Sequence, residues 1–520
     1  MAAKKSTLSG IRAKMAKYLD KLHLPHWLTI LLAVVLILRI PSFFEPFSYG
    51  DEMIYLTLGE AIRRGVPLYS GIHDNKPPLL YILAAIAGNV FWFRVILAFW
   101  SFVTIILFWR LMHVLFAKNP KARKIATIIF AILTTIPLLE GQIANAEVFM
   151  LAPTIGAFLI LLTRKLTPKN LIFSGLLFSM ATLFKVPAAF DMPVIMVFWL
   201  IIAISKGKIK KLQIEFKKII KNTAYIAVGF FAPILLTFIW YFTRGAFQEY
   251  LIAAFLQNVG YLSSWRPASV QQSFLTRNGP VLVRFALVLL GVFLAFLARK
   301  KLSKTFILAT IWLLFALFAI TLSERPYPHY LIQAVPAISI LFAILLTSKK
   351  LEQTLVILPL TLAFIAPVYY KFWYYPTASY YTRFLEFASG AIDKEQYFDK
   401  FDKNVNRNYQ ISDFIEKSTR YNDKVFVWGD GPPIYALSRR LPPGKYVATY
   451  HINDFSSKEE MLNILSSEKP LMIVTLPGAP DFPELRPFLQ ENYILINSIE
   501  GAEIWRLMNA ELRLLLNKLF

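Results

Sequence analysis

Between residues 25 and 370 the chain runs through one apolar stretch after another, each close to the roughly twenty residues an α-helix needs to cross a hydrocarbon core, with short connectors rich in Lys and Arg between them. Backbone in hydrocarbon must satisfy its own hydrogen bonds, so such a chain folds as a polytopic α-helical membrane protein. The composition agrees. With 56% hydrophobic and 15% aromatic residues over 520 positions and a mean hydropathy of +0.51, an ordinary soluble globule is excluded.

The net charge of +24 would suit a nucleic-acid partner, but its distribution argues against one. Of the 56 Lys+Arg and 32 Asp+Glu, residues 371–520 hold 18 and 19, which leaves 38 bases against 13 acids in residues 1–370. The excess sits in Lys4–Lys21, Lys118–Lys124, Arg164–Lys169, Lys206–Lys221, Arg299–Lys304 and Lys349 with Lys350. Short basic connectors stay in the cytosol, so these mark the inner face. Residues 1–24 form a basic cytoplasmic leader. Arg39, Ile40 and Pro41 offer no small-residue cleavage site after the apolar run from Trp27, so that run reads as an uncleaved first span. Parity then decides the layout. Residues 78–92 are too few to cross, and crossing would put Lys118–Lys124 outside, so they lie along the interface. Spans are expected at 25–43, 93–116, 124–140, 146–163, 170–187, 188–205, 219–242, 280–298, 305–323, 329–347 and 353–370. That makes eleven transmembrane helices in a multi-pass plasma-membrane protein. Glu45, Asp51, Glu52, Glu60, Asp74, Glu140, Glu147, Glu249 and Glu324 then fall outside, against Asp20, Glu215 and Glu352 inside. Asp191 falls within a span, with Lys185 as a candidate partner. Tyr250, Tyr261, Trp265 and Arg266, in the outer loop 243–279, are expected at the membrane interface. With no cysteine, there is no disulfide framework and no thiol chemistry.

From Lys371 the composition becomes that of a soluble domain. Residues 424–428, 446–450 and 471–476 read as strands, 408–417, 459–466 and 484–492 as helices, 429–433 as a turn, and 493–497 with 502–507 as a hairpin. Strands alternating with helices predict a small α/β domain over 371–520. An odd number of spans makes it extracytoplasmic.

Within the membrane part, residues 25–370, the first outer loop, 42–92, carries a polar island, SYGDEMIYLTLGEAIRRGVPLYSGIHDNKPPLLY from Ser48 to Tyr81. Asp51 and Glu52 open a short amphipathic helix whose apolar face is Ile54, Leu58 and Ala61 or Ile62, and Arg63 and Arg64 close it. N–H groups at the helix start help keep both acids ionised, as a proton acceptor must be. Lys76 precedes Pro77 and Pro78, which can start another helix, so it stands at a positive helix end. A second loop, GQIANAEVF, supplies Asn145 and Glu147. A third, SERPYPHY, supplies Arg325 and His329. Lys76, Arg325 and His329 suit a phosphate, and a leaving group that gains charge benefits from such cations. Each has a plainer reading. An acidic pair at a helix start caps it and is solvated, Arg325 can anchor to headgroups, and His329 can be an interfacial hydrogen-bonding residue. Their coincidence on one face favours chemistry.

GDEMIYLTLGEAIRRGVPLY, HDNKPPLLY, NAEVF and ERPYPHYLIQAVP together resemble the GT-C class of membrane glycosyltransferases. The subgroup most similar contains protein O-mannosyltransferases, lipid A aminoarabinose transferases and Rgt-type galacturonosyltransferases, and the resemblance spans residues 25–370. It implies a GT-C fold and transfer of a sugar from a polyprenyl-phosphate carrier to an acceptor hydroxyl of a protein, lipid or cell-envelope glycan at the outer face. By that resemblance Asp51 is the base or acceptor-orienting group and Lys76 contacts the carrier phosphate. Some relatives carry an acid before the lysine and bind a metal with it. Asn75 stands here instead, so no cofactor is required by the sequence and a divalent metal is left open.

The resulting assignment gives Asp51 and Glu52 catalytic roles, Lys76, Arg325 and His329 the donor phosphate, and Asp74, Asn145 and Glu147 the orientation of acceptor or sugar. The partners are the lipid-linked donor, the acceptor and the bilayer. No P-loop and no Rossmann glycine fingerprint is seen. Two other classes compete: a transporter for a lipid-linked sugar or solute, which needs charges along a path where the spans hold few beyond Arg94, Lys185, Asp191 and Arg284, and a membrane-anchored scaffold. Removal of residues 380–520 is expected to separate them, since the enzyme's motifs would remain intact.

Overall fold

The computed structural model describes residues 24–204, 209–257, 274–323, 325–348 and 350–509. The basic leader up to residue 23, Tyr261, Trp265, Arg266 and Glu324 lie outside the described residues.

The membrane part consists of α1 (His26–Arg39), α2 (Gly50–Arg63), α3 (Leu79–Ala87), α4 (Val90–Leu115), α5 (Pro120–Leu133), α6 (Ala146–Thr163), α7 (Pro168–Phe184), α8 (Met192–Ile204), α9 (Ile209–Thr243), α10 (Phe274–Ala298), α11 (Lys304–Thr321), α12 (Val335–Thr347) and α13 (Ile357–Tyr369). Polar residues punctuate it. Asn89, Asn119, Thr167 and Ser303 each accept a backbone N–H at a helix start, and Pro120 and Pro168 occupy first helical positions where no N–H is needed. Among the described residues, nine segments are helical, long and apolar enough to cross a membrane: His26–Phe44, Val90–Leu115, Ala146–Thr163, Val186–Ile204, Gln213–Thr243, Asn278–Ala298, Lys304–Thr321, Pro328–Thr347 and Leu351–Tyr369. The expected spans at 124–140 and 170–187 form α5 and α7, helices of 14 and 17 residues, short of that length. Residues 78–92 form α3, nine residues long, and the first turn of α4.

Charge separates along the bundle. Thr305 Oγ1 donates to the carbonyl of Leu115 at 2.7 Å, and Asn119 Nδ2 donates to Thr347 Oγ1 at 3.2 Å. The end of α4, the start of α11 and the end of α12 therefore meet at one, basic end, around a cavity of about 540 Å³ lined in part by Glu215, Lys218 and Lys304. The start of α4, α2, Glu140, Glu147 and His329 meet at the other. Tyr250 corrects an expectation. It is fully buried rather than interfacial, packed against Tyr69 and Tyr241 with its hydroxyl on Thr237.

Beyond α13 the chain builds α14 (Val405–Ser418), β1 (Val425–Trp428), α15 (Pro432–Ser438), α16 (Thr449–Phe455), β2 (Met472–Thr475), β3 (Tyr493–Ile499) and β4 (Ala502–Leu507). The sheet runs β1-β2-β4-β3, with β1 and β2 parallel and the other pairs antiparallel. The expected strand at 446–450 is absent. Tyr446 makes only an isolated bridge to His73, and the helix α16 starts at Thr449.

This tail is part of the same core as the membrane helices. α15 packs on α2, and Ile434 and Tyr435 belong to one buried cluster with Ile54 and Leu58. Tyr421 donates to Glu60, Arg64 donates to the Tyr421 carbonyl at 2.7 Å, and the His73 N–H donates to the Lys445 carbonyl at 2.7 Å. Glu60 is buried, yet hydrogen bonds from Tyr421, Arg63 and Arg64 outweigh that burial and hold its carboxyl at about 2. Consequently α2 is buried on all sides from Glu52 to Ala61, not on one face as its sequence pattern suggested.

Candidate active site

Adjacent residues on a helix point about 100° apart, and this separates the two acids at the head of α2. Glu52 turns into the bundle. Arg94 donates to both its oxygens, at 2.6 and 3.2 Å, and the Ala144 N–H adds a third bond at 2.8 Å. Arg94 also pairs with Glu45 at 3.0 Å and donates to the Ser42 carbonyl at 2.6 Å. All three side chains are fully or nearly fully buried, and the bonds from Arg94 and the Ala144 N–H engage both Glu52 oxygens. Its expected catalytic role is withdrawn, and it clamps α2 to α4 instead.

Asp51 turns the other way and is about one-third exposed. Tyr55, one turn on, donates to its Oδ2 at 2.9 Å. Lys76 Nζ stands 3.7 Å from that oxygen and 3.8 Å from Oδ2 of Asp74, with the Tyr55 ring 4.9 Å away. Burial alone would raise the Asp51 pKa. Lys76, His329, the Tyr55 hydroxyl and His451 together overcome it and hold the carboxyl below its ordinary 3.8. Asp51 is therefore a ready proton acceptor at neutral pH.

The loop that carries Lys76 is held tightly. An added Cβ at Gly59 would strike the backbone of Ala84 and Ala85, so glycine there lets α2 and α3 close on each other. Tyr69, at φ 76°, occupies the left-handed region and donates to the Lys76 carbonyl at 2.8 Å. Asp74 accepts from Tyr81 and from the Asn75 N–H, each at 2.8 Å, and the Lys76 N–H donates to the Tyr81 hydroxyl at 3.0 Å. Asp74 thus orients the lysine.

A second group lies beside the first. Glu140, at φ 57°, accepts from Tyr49 at 2.9 Å and contacts Nδ1 of His329. His329 Nε2 is 3.7 Å from Glu147, which is paired to Lys185, and Lys185 sits 3.5 Å over the Tyr330 ring. Asn145 reaches the Tyr49 hydroxyl at 3.4 Å, and its buried Oδ1 has no hydrogen-bond partner among the described residues. Lys185 thus belongs to Glu147 and not to Asp191, which accepts from Trp312 at 2.9 Å and Gln333 at 3.2 Å. Arg325 is half-buried in the turn before this group, its N–H donating to Ser323 Oγ at 3.4 Å.

The tail supplies a residue that sequence reasoning missed. His451, on α16, is buried and places Nε2 3.6 Å from Asp74. Burial, reinforced by Lys76, keeps its pKa below the ordinary imidazole value despite Asp74, so it is neutral at pH 7. Removal of residues 380–520 would strip His451 from the site and uncover α2, so the expectation that truncation leaves the motifs intact is corrected.

The donor set suits a metal poorly. The Lys76 ammonium already bridges the Asp51 and Asp74 carboxylates, and among the described residues no group of three His, Asp or Glu stands close enough to hold an ion.

No family model matches the sequence, and no curated protein does. Among solved structures, this one is similar to ArnT from Cupriavidus metallidurans bound to undecaprenyl phosphate, at 12% identity and a TM-score of 0.53, over 93% of this chain and 98% of that one. The chain has the GT-C fold. It also matches the archaeal oligosaccharyltransferase AglB from Archaeoglobus fulgidus. One such structure is in complex with an inhibitory peptide and a dolichol-phosphate, at 13% identity and a TM-score of 0.44, over 88% of this chain and 70% of that one. An apo form gives 13% identity and 0.45 over 86% and 69%. In this chain the head of α2, the Lys76 loop and the Glu140–His329 group converge on one end of the bundle.

Proposed function

We propose that the protein moves a sugar from a polyprenyl-phosphate carrier to an acceptor hydroxyl at the non-cytoplasmic face of the plasma membrane. The observation that carries this reading is the ionised Asp51 held 3.7 Å from Lys76. Asp51 takes the proton of the acceptor hydroxyl, and the oxygen attacks the anomeric carbon. The bond from that carbon to the carrier phosphate breaks, and its electron pair leaves with the phosphate. Lys76 stabilises the departing phosphate, with Arg325 and His329 as further donors to it. Glu147 fixes His329 and Lys185. Asp74 and His451 position Lys76. Charge on the leaving group is met by protein cations, so no step is assigned to a metal.

Support comes from the fold shared with a protein bound to undecaprenyl phosphate, from the acid–base pair, and from the basic connectors at the opposite end, which by the positive-inside rule favour an outer position for this end. The four charged residues within the spans also favour an enzyme over a transporter. Arg94, Lys185 and Asp191 are bonded as described, and Arg284 donates to the Pro280 carbonyl at 2.9 Å and to that of Thr321.

In proteoliposomes supplied with undecaprenyl-phosphate-linked sugars and hydroxylated acceptors, the wild-type protein should release undecaprenyl phosphate in step with glycosylated acceptor. Release from none of these donors would overturn the reading.

A further inference from the structure

A cavity of about 510 Å³ lies where α2 meets the tail, within the roughly 300–1,000 Å³ typical of small-molecule sites. Asp51 forms part of one wall. The opposite wall carries Asp402, Arg407, Asn408, Asp430, Tyr450 and Asn453. Asp51 thus belongs both to the ion pair with Lys76 and to a chamber that the tail encloses.

The chemistry of that wall is specific. Arg407 is only 7% exposed, and its Nε has no hydrogen-bond partner among the described residues, although Nη2 reaches Asn408 at 3.4 Å. A buried guanidinium N–H without a partner is costly to maintain, and a ligand acceptor atom would relieve it. Asp402 and Asp430 act on Arg407 electrostatically, and both stand exposed beside it with Asn453. The wall therefore alternates donors with acceptors. A sugar hydroxyl both donates and accepts, so a ring bearing several of them matches such a wall. An anionic ligand is disfavoured, since Glu500, Asp402 and Asp430 all act on Arg407 and outnumber it, while the Lys76 charge is already taken up by Asp51 and Asp74. A peptide would look for main-chain partners along an extended edge, whereas the groups here are side chains arranged around a chamber.

The geometry points to a carbohydrate acceptor subsite in which the tail holds an uncharged glycan and presents one of its hydroxyls to Asp51. This rests on the transferase reading and adds to it the class of acceptor and a role for residues 402–453. The tail is then a specificity element: Arg407, Asp430 and Asn453 act on acceptor binding, whereas His451 acts on the Lys76 side of the site.

Purified full-length protein in nanodiscs, examined by saturation-transfer NMR with uncharged tri- and tetrasaccharides of glucose, galactose, mannose and N-acetylglucosamine, tests this directly. At least one saccharide should bind. Asp430→Ala and Asn453→Ala, at exposed positions tolerant of substitution, should each weaken it, and together by about tenfold, while retention of undecaprenyl phosphate stays unchanged. No saccharide binding, binding indifferent to both variants, or binding only of Ser/Thr-containing hexapeptides run in parallel would overturn the inference. Failure of the wild-type protein to retain undecaprenyl phosphate would instead strike the transferase reading, so the two failures are distinct.

Discussion

A carboxylate accepts a proton only while ionised, and what keeps Asp51 in that state is chiefly the Lys76 charge, with His329 and the Tyr55 hydrogen bond behind it. The sign of the pH dependence follows. A base with a depressed pKa stays active as pH falls until that pKa is reached, so the acid limb of kcat/KM should lie below pH 4 wherever the fold survives. Lys76→Met removes the main positive charge beside Asp51 and leaves burial to act. The acid limb should then move to higher pH, besides any loss of rate. An unmoved limb in that variant would show that Lys76 does not set the ionisation of Asp51. At this scale the sequence exposed Asp51, Lys76, Glu147 and His329, because each sits at a helix start beside prolines or a polar loop. It could not separate Asp51 from Glu52, since only the position of Arg94 decides which acid is consumed. Glu140, Tyr49 and His451 were not legible as site residues: nothing local in the chain connects a histidine of α16 to Asp74.

The clamp between α2 and α4 carries an expectation of its own. Arg94 is the cation shared by two buried carboxyl groups, Glu45 and Glu52. Arg94→Leu strands both and should cost about 3–5 kcal/mol, read as a large fall in thermal midpoint in detergent. Arg94→Leu combined with Glu45→Gln and Glu52→Gln should recover part of that loss, because no charge is then left buried. A triple variant no more stable than the single one would contradict the assignment of Glu52 as a structural anchor. Elements themselves were largely readable. Short β-branched runs gave β1, β2 and the β3–β4 hairpin, and polar caps with proline gave the helix starts. The stretch 446–450 misled because Tyr, Val and Thr suit a strand only where a partner strand is present, and Tyr446 finds only the single bridge to His73. α2 looked two-sided because its sequence carries no sign that α15 covers its polar face.

Across the whole molecule, the orientation proposed from the basic connectors can be tested simply because the chain has no cysteine. Lys118→Cys, in a basic connector, should be labelled by a membrane-impermeant maleimide only after cells are opened. Ser389→Cys, at an exposed position in the tail, should be labelled on intact cells, and the reverse pattern would invert the topology. The number of spans was the least readable global feature, since α5 and α7 are apolar but fall short of full length. How the tail packs was hidden as well, because α15 and α16 meet α2 and the Lys76 loop only in three dimensions. The account as a whole depends on Asp51 acting as the proton acceptor in sugar transfer. The most direct measurement is the transfer rate of Asp51→Asn, an isosteric change that removes the charge, in proteoliposomes supplied with a polyprenyl-phosphate sugar. The account predicts a fall of about 10²–10⁴-fold with carrier binding retained, whereas transfer at the wild-type rate would contradict it.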